Sequence, residues 1–149
     1  MKLTATALAL IVCTATAYAQ STSSSKWMQE VRDYKHQMLV DETEMTDEQK
    51  EQFLPLYTEM EEEIVSANIQ ARQAENSLSE SSTEPDDSQY EDAADILANL
   101  KLREGEIEAR YHEMFKQFLS PKQLFLLQRA ERHFTADMLR HNHQAKSDR

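Results

Sequence analysis

The sequence predicts an all-α protein, a four-helix hairpin arrangement with two long amphipathic helices whose starts are capped at Thr46 and Ser120. Three observations predict it. One glycine and three prolines in 149 residues are too few for the tight turns of a sandwich or barrel. Apolar residues recur at intervals of three and four along several stretches. Two segments also have the form of a helix-opening capping box.

The first nineteen residues read as a cleavable secretory signal. Lys2 supplies the positive start, Leu3 to Ala15 the apolar stretch, and Ala17-Tyr18-Ala19 a small-x-small cleavage site before Gln20. A lipoprotein reading would acylate Cys13, but Val12 before it is bulky where such sites favour a small residue. Cleavage removes the only cysteine, so the mature chain needs no disulfide. The apolar stretch is shorter than the roughly 20 residues that span a bilayer, and no later segment suggests membrane insertion.

Residues 20–25 form a Ser/Thr-rich leader, expected to be mobile, and 26–141 is expected to be one helical domain. In its first helix, Lys26 to Val40, the residues Trp27, Val31, Tyr34 and Met38 share a face. Thr46-Asp47-Glu48-Gln49 opens the second: the Thr46 hydroxyl can accept from the backbone three residues on, while Gln49 reaches back. Its apolar face runs Phe53, Leu56, Tyr57, Met60, Ile64, Ala67, Ala71, Ala74 and Leu78. Pro55 interrupts it and predicts a kink near Leu54 or a separate short opening helix.

Residues 77–88 combine serines, acids and Pro85 and read as a flexible acidic loop. Its Ser-acid character raises phosphorylation or calcium binding, but the calcium-loop spacing with its central glycine is absent. Tyr90, Ala93, Leu97, Leu100, Ile107, Tyr111, Met114 and Phe118 then keep a heptad spacing. Ser120 caps the last helix, with Pro121 at the first position, where its missing donor is harmless, Gln123 closing the box and Leu119 placed to staple onto Leu124. That helix continues through Leu127, Ala130, Phe134 and Met138 and frays after Arg140, leaving 142–149 as a polar tail. Leu124-Phe125-Leu126-Leu127 surrounds the helix instead of lining one stripe, so part of it must face a second surface: the domain's own core, a dimer partner or a client chain.

Loss of Lys2 leaves 15 basic against 27 acidic residues, a net charge of −12. Asp41 to Glu63 holds ten acids against Lys50 alone, and Glu75 to Asp95 eight acids with no base. Such a chain repels phosphate backbones, which argues against nucleic acid as a partner. The single glycine also excludes Gly-rich phosphate loops. The mature chain offers no cysteine and no serine in a strained elbow, so no enzyme and no cofactor is expected. His112, His133, His141 and His143 are the candidate metal ligands, with Glu113 and Glu131 nearby. The pairs Glu131/His133 and His141/His143 lack the three- or four-residue spacing at which helical ligands meet, so solvent-facing histidines are the favoured reading. Glu104 and Glu131 fall where the periodicity expects apolar residues. A buried carboxylate needs a partner, and Arg72, Arg103, Arg110 or Arg132 could supply a carboxylate–arginine bridge between the last two helices.

The signal segment, the four helices and the boxes Met45-Thr46-Asp47-Glu48-Gln49 and Leu119-Ser120-Pro121-Lys122-Gln123 resemble the paired Leu-Thr-x-x-Gln motifs of the Spy/CpxP family. The segments Gln52 to Tyr57 and Gln128 to Phe134 are similar to a branch found in Bacteroidetes. The resemblance covers about Met45 to Leu139. Met45 stands for Leu and Ser120 for Thr, which caps tolerate. It implies a periplasmic, cradle-shaped homodimer that holds unfolded or envelope-stress clients without ATP. The best-known members carry a basic client-facing surface; here the chain is acidic, so apolar contact and not charge steering is implied. Phe53, Tyr57, Met60, Phe125 and Leu126 are the candidate client contacts. The alternatives are a metal-sensing periplasmic domain using the histidines and a structural partner of an envelope complex.

Overall fold

The computed structural model describes residues 10–81 and 83–147, with side chains described for 26–81, 83–138 and 140. The candidate cleavage site, Cys13, His141 and His143 therefore have side chains outside the described residues. Among the described residues there are four helices: α1 (Leu10–Glu42), α2 (Asp47–Ser79), α3 (Asp87–Phe115) and α4 (Pro121–Ser147). Among the described residues there is no strand, and no helix is long and apolar enough to cross a membrane.

Helix boundaries follow local chemistry more closely than composition. The α1 backbone is helical from residue 10, through the Ser/Thr-rich stretch before Lys26, and α4 stays helical to Ser147, past Arg140. α2 persists to Ser79, which shortens the expected loop at its start to a connection over residues 80–86. A capping box missed in the sequence begins α3: the Asp86 side chain accepts from Gln89 N–H at 3.0 Å while Gln89 Oε1 accepts from Asp86 N–H at 3.0 Å. α2 also runs unbroken through Pro55, so no separate opening helix forms. Pro55 and Glu51, whose carbonyl loses its helical donor, both lie on the exposed side, where water can take that donor's place.

The expected single domain falls into two compact units. One, Thr43–Gln128, is built on the antiparallel pair α2 and α3. Its core is aromatic: Phe53 lies 5.0 Å from the Tyr57 ring and 5.1 Å from Phe115, and Phe118 meets Phe115 edge-on at 6.2 Å. Met60, Ile107, Tyr111, Leu119 and Leu127 are buried in the same unit. The α2 stripe is buried or half-buried throughout, as its periodicity predicts. The α3 stripe is displaced: Phe115 is buried where the heptad reading placed Met114, which is exposed.

The other unit comprises the segments up to Glu42 and from Arg129 onward. Within it α1 and α4 run antiparallel, with the Tyr34 and Phe134 rings 6.4 Å apart, Lys35 Nζ 5.8 Å above Phe134, and Arg129 paired with Glu42 at 3.8 Å. Among its described residues, Leu39, Val40 and Ala130 are buried. The α1 face read from the sequence is only half covered: Val31 and Met38 are half-buried, but Trp27 is 53 % and Tyr34 66 % exposed. One facing helix cannot enclose a whole amphipathic stripe.

Candidate functional site

Both predicted boxes form. Gln49 N–H donates to Thr46 Oγ1 at 3.2 Å and Thr46 N–H to Gln49 Oε1 at 3.1 Å. Gln123 N–H donates to Ser120 Oγ at 3.3 Å and Ser120 N–H to Gln123 Oε1 at 3.0 Å, with Pro121 the first residue of α4. Each box satisfies helix-end donors that have no partner within the helix. The two boxes also meet. Gln49 Nε2 donates to Gln123 Oε1 at 3.1 Å, Gln123 Nε2 returns a bond to Gln49 Oε1 at 2.8 Å, and Gln49 Nε2 also reaches the Phe118 carbonyl at 2.8 Å. A carboxamide is the side chain for this joint, because it donates and accepts at once. The pair locks the start of α4 to the start of α2 beside the aromatic core.

Polar cross-links tie α2 to α3 beyond that core. The Glu63 carboxylate accepts from the Tyr111 hydroxyl at 2.6 Å and forms a close ion pair with Arg110. Those two bonds, the Tyr111 hydroxyl first, hold the Glu63 carboxyl below its ordinary range, and burial above all pushes the Tyr111 phenol up to about 12. Farther along, Asn68 Nδ2 donates to Glu104 Oε1 at 2.7 Å, Lys101 pairs with Glu104 at 2.5 Å, and Arg103 donates to Gln70 at 2.6 Å. Lys101, then Asn68, lower the Glu104 carboxyl. Glu104, with only 15 % of its side chain exposed, is thus partnered as expected, but by Lys101 and Asn68 and not by an arginine. Of the four arginines expected as partners, Arg110 bridges to Glu63, between α2 and α3 and not between the last two helices; Glu131 is half-buried on α4. A groove of about 280 Å³ runs along this flank, lined by Glu63, Ser66, Arg103, Glu106, Ile107 and Arg110. Its two acids and two arginines balance, so it favours no sign of charge.

The candidate client contacts divide sharply. Phe53, Tyr57 and Met60 are buried core residues. They cannot meet a partner while this unit is folded, which corrects the sequence reading: periodicity marks an apolar face but not whether a neighbour covers it. Phe125 is 66 % exposed and Leu126 half-buried, while Leu127 is sealed inside. The four-residue apolar run therefore divides, with Leu127 serving the core and Phe125 left outward. Val65 and Ile69 on α2 and Leu102 on α3, at 62 %, are also exposed; none belonged to the apolar stripes, and that isolation was their one visible signal. Of the histidines, His112 is half-buried on α3 and His133 exposed on α4. Among the described residues no three His, Cys, Asp or Glu side chains converge as metal ligands.

No protein-family model, no curated protein and no solved structure matches this chain. The class defined by fold and site is an all-α protein of antiparallel helix pairs, with a carboxamide lock inside the Thr43–Gln128 unit and exposed apolar side chains.

Proposed function

We propose that the chain is an exported, ATP-independent holding chaperone or envelope-stress binding protein that acts in the periplasm as a homodimer and captures clients on apolar helix surfaces, without covalent chemistry. The observation that carries the reading is the set of large apolar side chains left in solvent, Phe125 and Leu102 foremost, on a strongly acidic chain. Covering one such side chain with a client segment is worth about 1.5–3 kcal/mol. A few together hold a chain reversibly, and the net negative charge keeps the loaded complex soluble. Phe125 and Leu126 remain contacts, and Val65, Ile69 and Leu102 take the place of the buried Phe53, Tyr57 and Met60. The test is light scattering from a reduced model client with equimolar protein. Aggregation is suppressed if the reading holds, and Phe125→Ala weakens the suppression; a client that aggregates as fast with the protein as without it removes the proposal.

A further inference from the structure

The α2–α3 hairpin is not equally built along its length. Its near end packs Phe53, Tyr57 and Met60 on α2 and Ile107, Tyr111 and Phe115 on α3, all buried. Beyond Glu63 the buried residues shrink to Ala67, Ala71 and Ala93, while Leu78, Ala74 and Leu100 are half-covered and Tyr90, Ile96 and Leu97 remain exposed. An alanine removes far less apolar surface from water than an aromatic ring, so the far end gains much less from closing.

The boundary between these two regimes is polar. Asn68 meets Glu104 and Gln70 meets Arg103 where apolar layers would otherwise continue. Gly105 follows at once inside α3, with nothing within 4 Å of where a Cβ would sit, and a mid-helix glycine lowers helix stability without a packing return. At the tip, Glu75 to Asp95 carries eight acids and no base, so closing the two helix ends brings like charges together. Small buried residues, a polar layer, a helix-weakening glycine and like charges all act in one direction.

We infer that the far part of the hairpin, residues 67–79 of α2 and 87–100 of α3, opens as a unit of its own while the aromatic end stays closed. Opening separates two helical arms of only three to four turns, which are marginal in water when unpartnered, so their backbone hydrogen bonds exchange with solvent once the arms part. The inference is independent of the chaperone reading, because the opening needs no client.

Native-state amide hydrogen exchange on the full chain, read by mass spectrometry, tests it. Segments 67–79 and 87–100 exchange at least about tenfold faster than 53–60 and 107–115. The decisive variant is Phe53→Leu, a mild core change that loosens the aromatic end. It accelerates exchange in 53–60 and 107–115 by about tenfold and leaves 67–79 and 87–100 at their original rates, because those already exchange through a separate opening. Equal protection along the whole hairpin in the unaltered protein, or an equal acceleration of all four segments by Phe53→Leu, means the hairpin opens in one piece and overturns the inference.

Discussion

Phe53 and Phe125 are both phenylalanines on amphipathic helices, and the structure assigns them opposite roles that substitution separates. Phe53 is fully buried, with the Tyr57 and Phe115 rings at 5.0 and 5.1 Å. Truncation to alanine removes the transfer free energy of the ring and leaves a cavity among stiff neighbours, which costs about 4 kcal/mol, with the two lost ring contacts placing it in the upper part of the usual range. Against a total stability of roughly 5–15 kcal/mol, that is a large fraction. With a urea dependence of about 2 kcal/mol per molar for a chain of this size, the unfolding midpoint of Phe53→Ala falls by about 2 M. Phe125 is 66 % exposed, and Phe125→Ala stays within about 0.5 kcal/mol of the parent. Urea titrations followed by circular dichroism read both, with unchanged slopes as the control. A Phe53→Ala midpoint within about 0.5 M of the parent, or equal losses in the two variants, refutes the assignment of Phe53 to the core and Phe125 to the surface.

The Gln49–Gln123 joint is cooperative: Gln49→Leu and Gln123→Leu each cost about 2 kcal/mol, because each strands its partner's amide, and the double variant costs less than their sum by about 1 kcal/mol in a double-mutant cycle. Simple additivity removes the pair as a joint. The Glu63 carboxyl is lowered by Tyr111 and Arg110, so its contribution is present above the unfolded carboxyl value of 4.5 and is lost as pH falls through the lower folded value. Glu63→Gln therefore flattens the acid limb of the stability profile, and an acid limb identical to the parent's counts against the bridge. The Tyr111 phenol is raised from 10.0 to about 12, so its contribution is complete below 10 and is lost as pH rises through the folded value. In a phenolate absorbance titration one tyrosine ionises late and disappears in Tyr111→Phe; a full complement of tyrosines titrating together excludes the buried Tyr111–Glu63 bond.

Much of the architecture is legible from local chemistry. Thr46 and Ser120 announce helix starts through patterns only four residues long, and the α2 stripe from Phe53 to Leu78 survives intact because three-and-four spacing directly encodes one helix face. The Asp86 box was legible in principle as Asp-x-x-Gln, but it lies in a Ser- and acid-rich stretch whose composition reads as loop. On α3 the buried face steps by four from Ile107 through Tyr111 to Phe115, and three-and-four spacing alone leaves the choice between the adjacent Met114 and Phe115 to the neighbouring rings. The site was less legible. Tertiary register brings Glu63 to Arg110 and Tyr111, and sequence spacing within one helix carries no information about a partner on the next. For the same reason Phe53, Tyr57 and Met60 read as ready for a client when their own chain already covers them.

Nothing in the paired carboxamides ionises. Acid that neutralises Glu63, alkali that strips the phenolic proton from Tyr111 and electrolyte that shields the carboxylates act on charges, and the Gln49–Gln123 bonds contain none. In a chain of net charge −11, two helix starts 74 residues apart are kept in alignment by neutral dipoles, so no ionisation within the joint itself disturbs their registration.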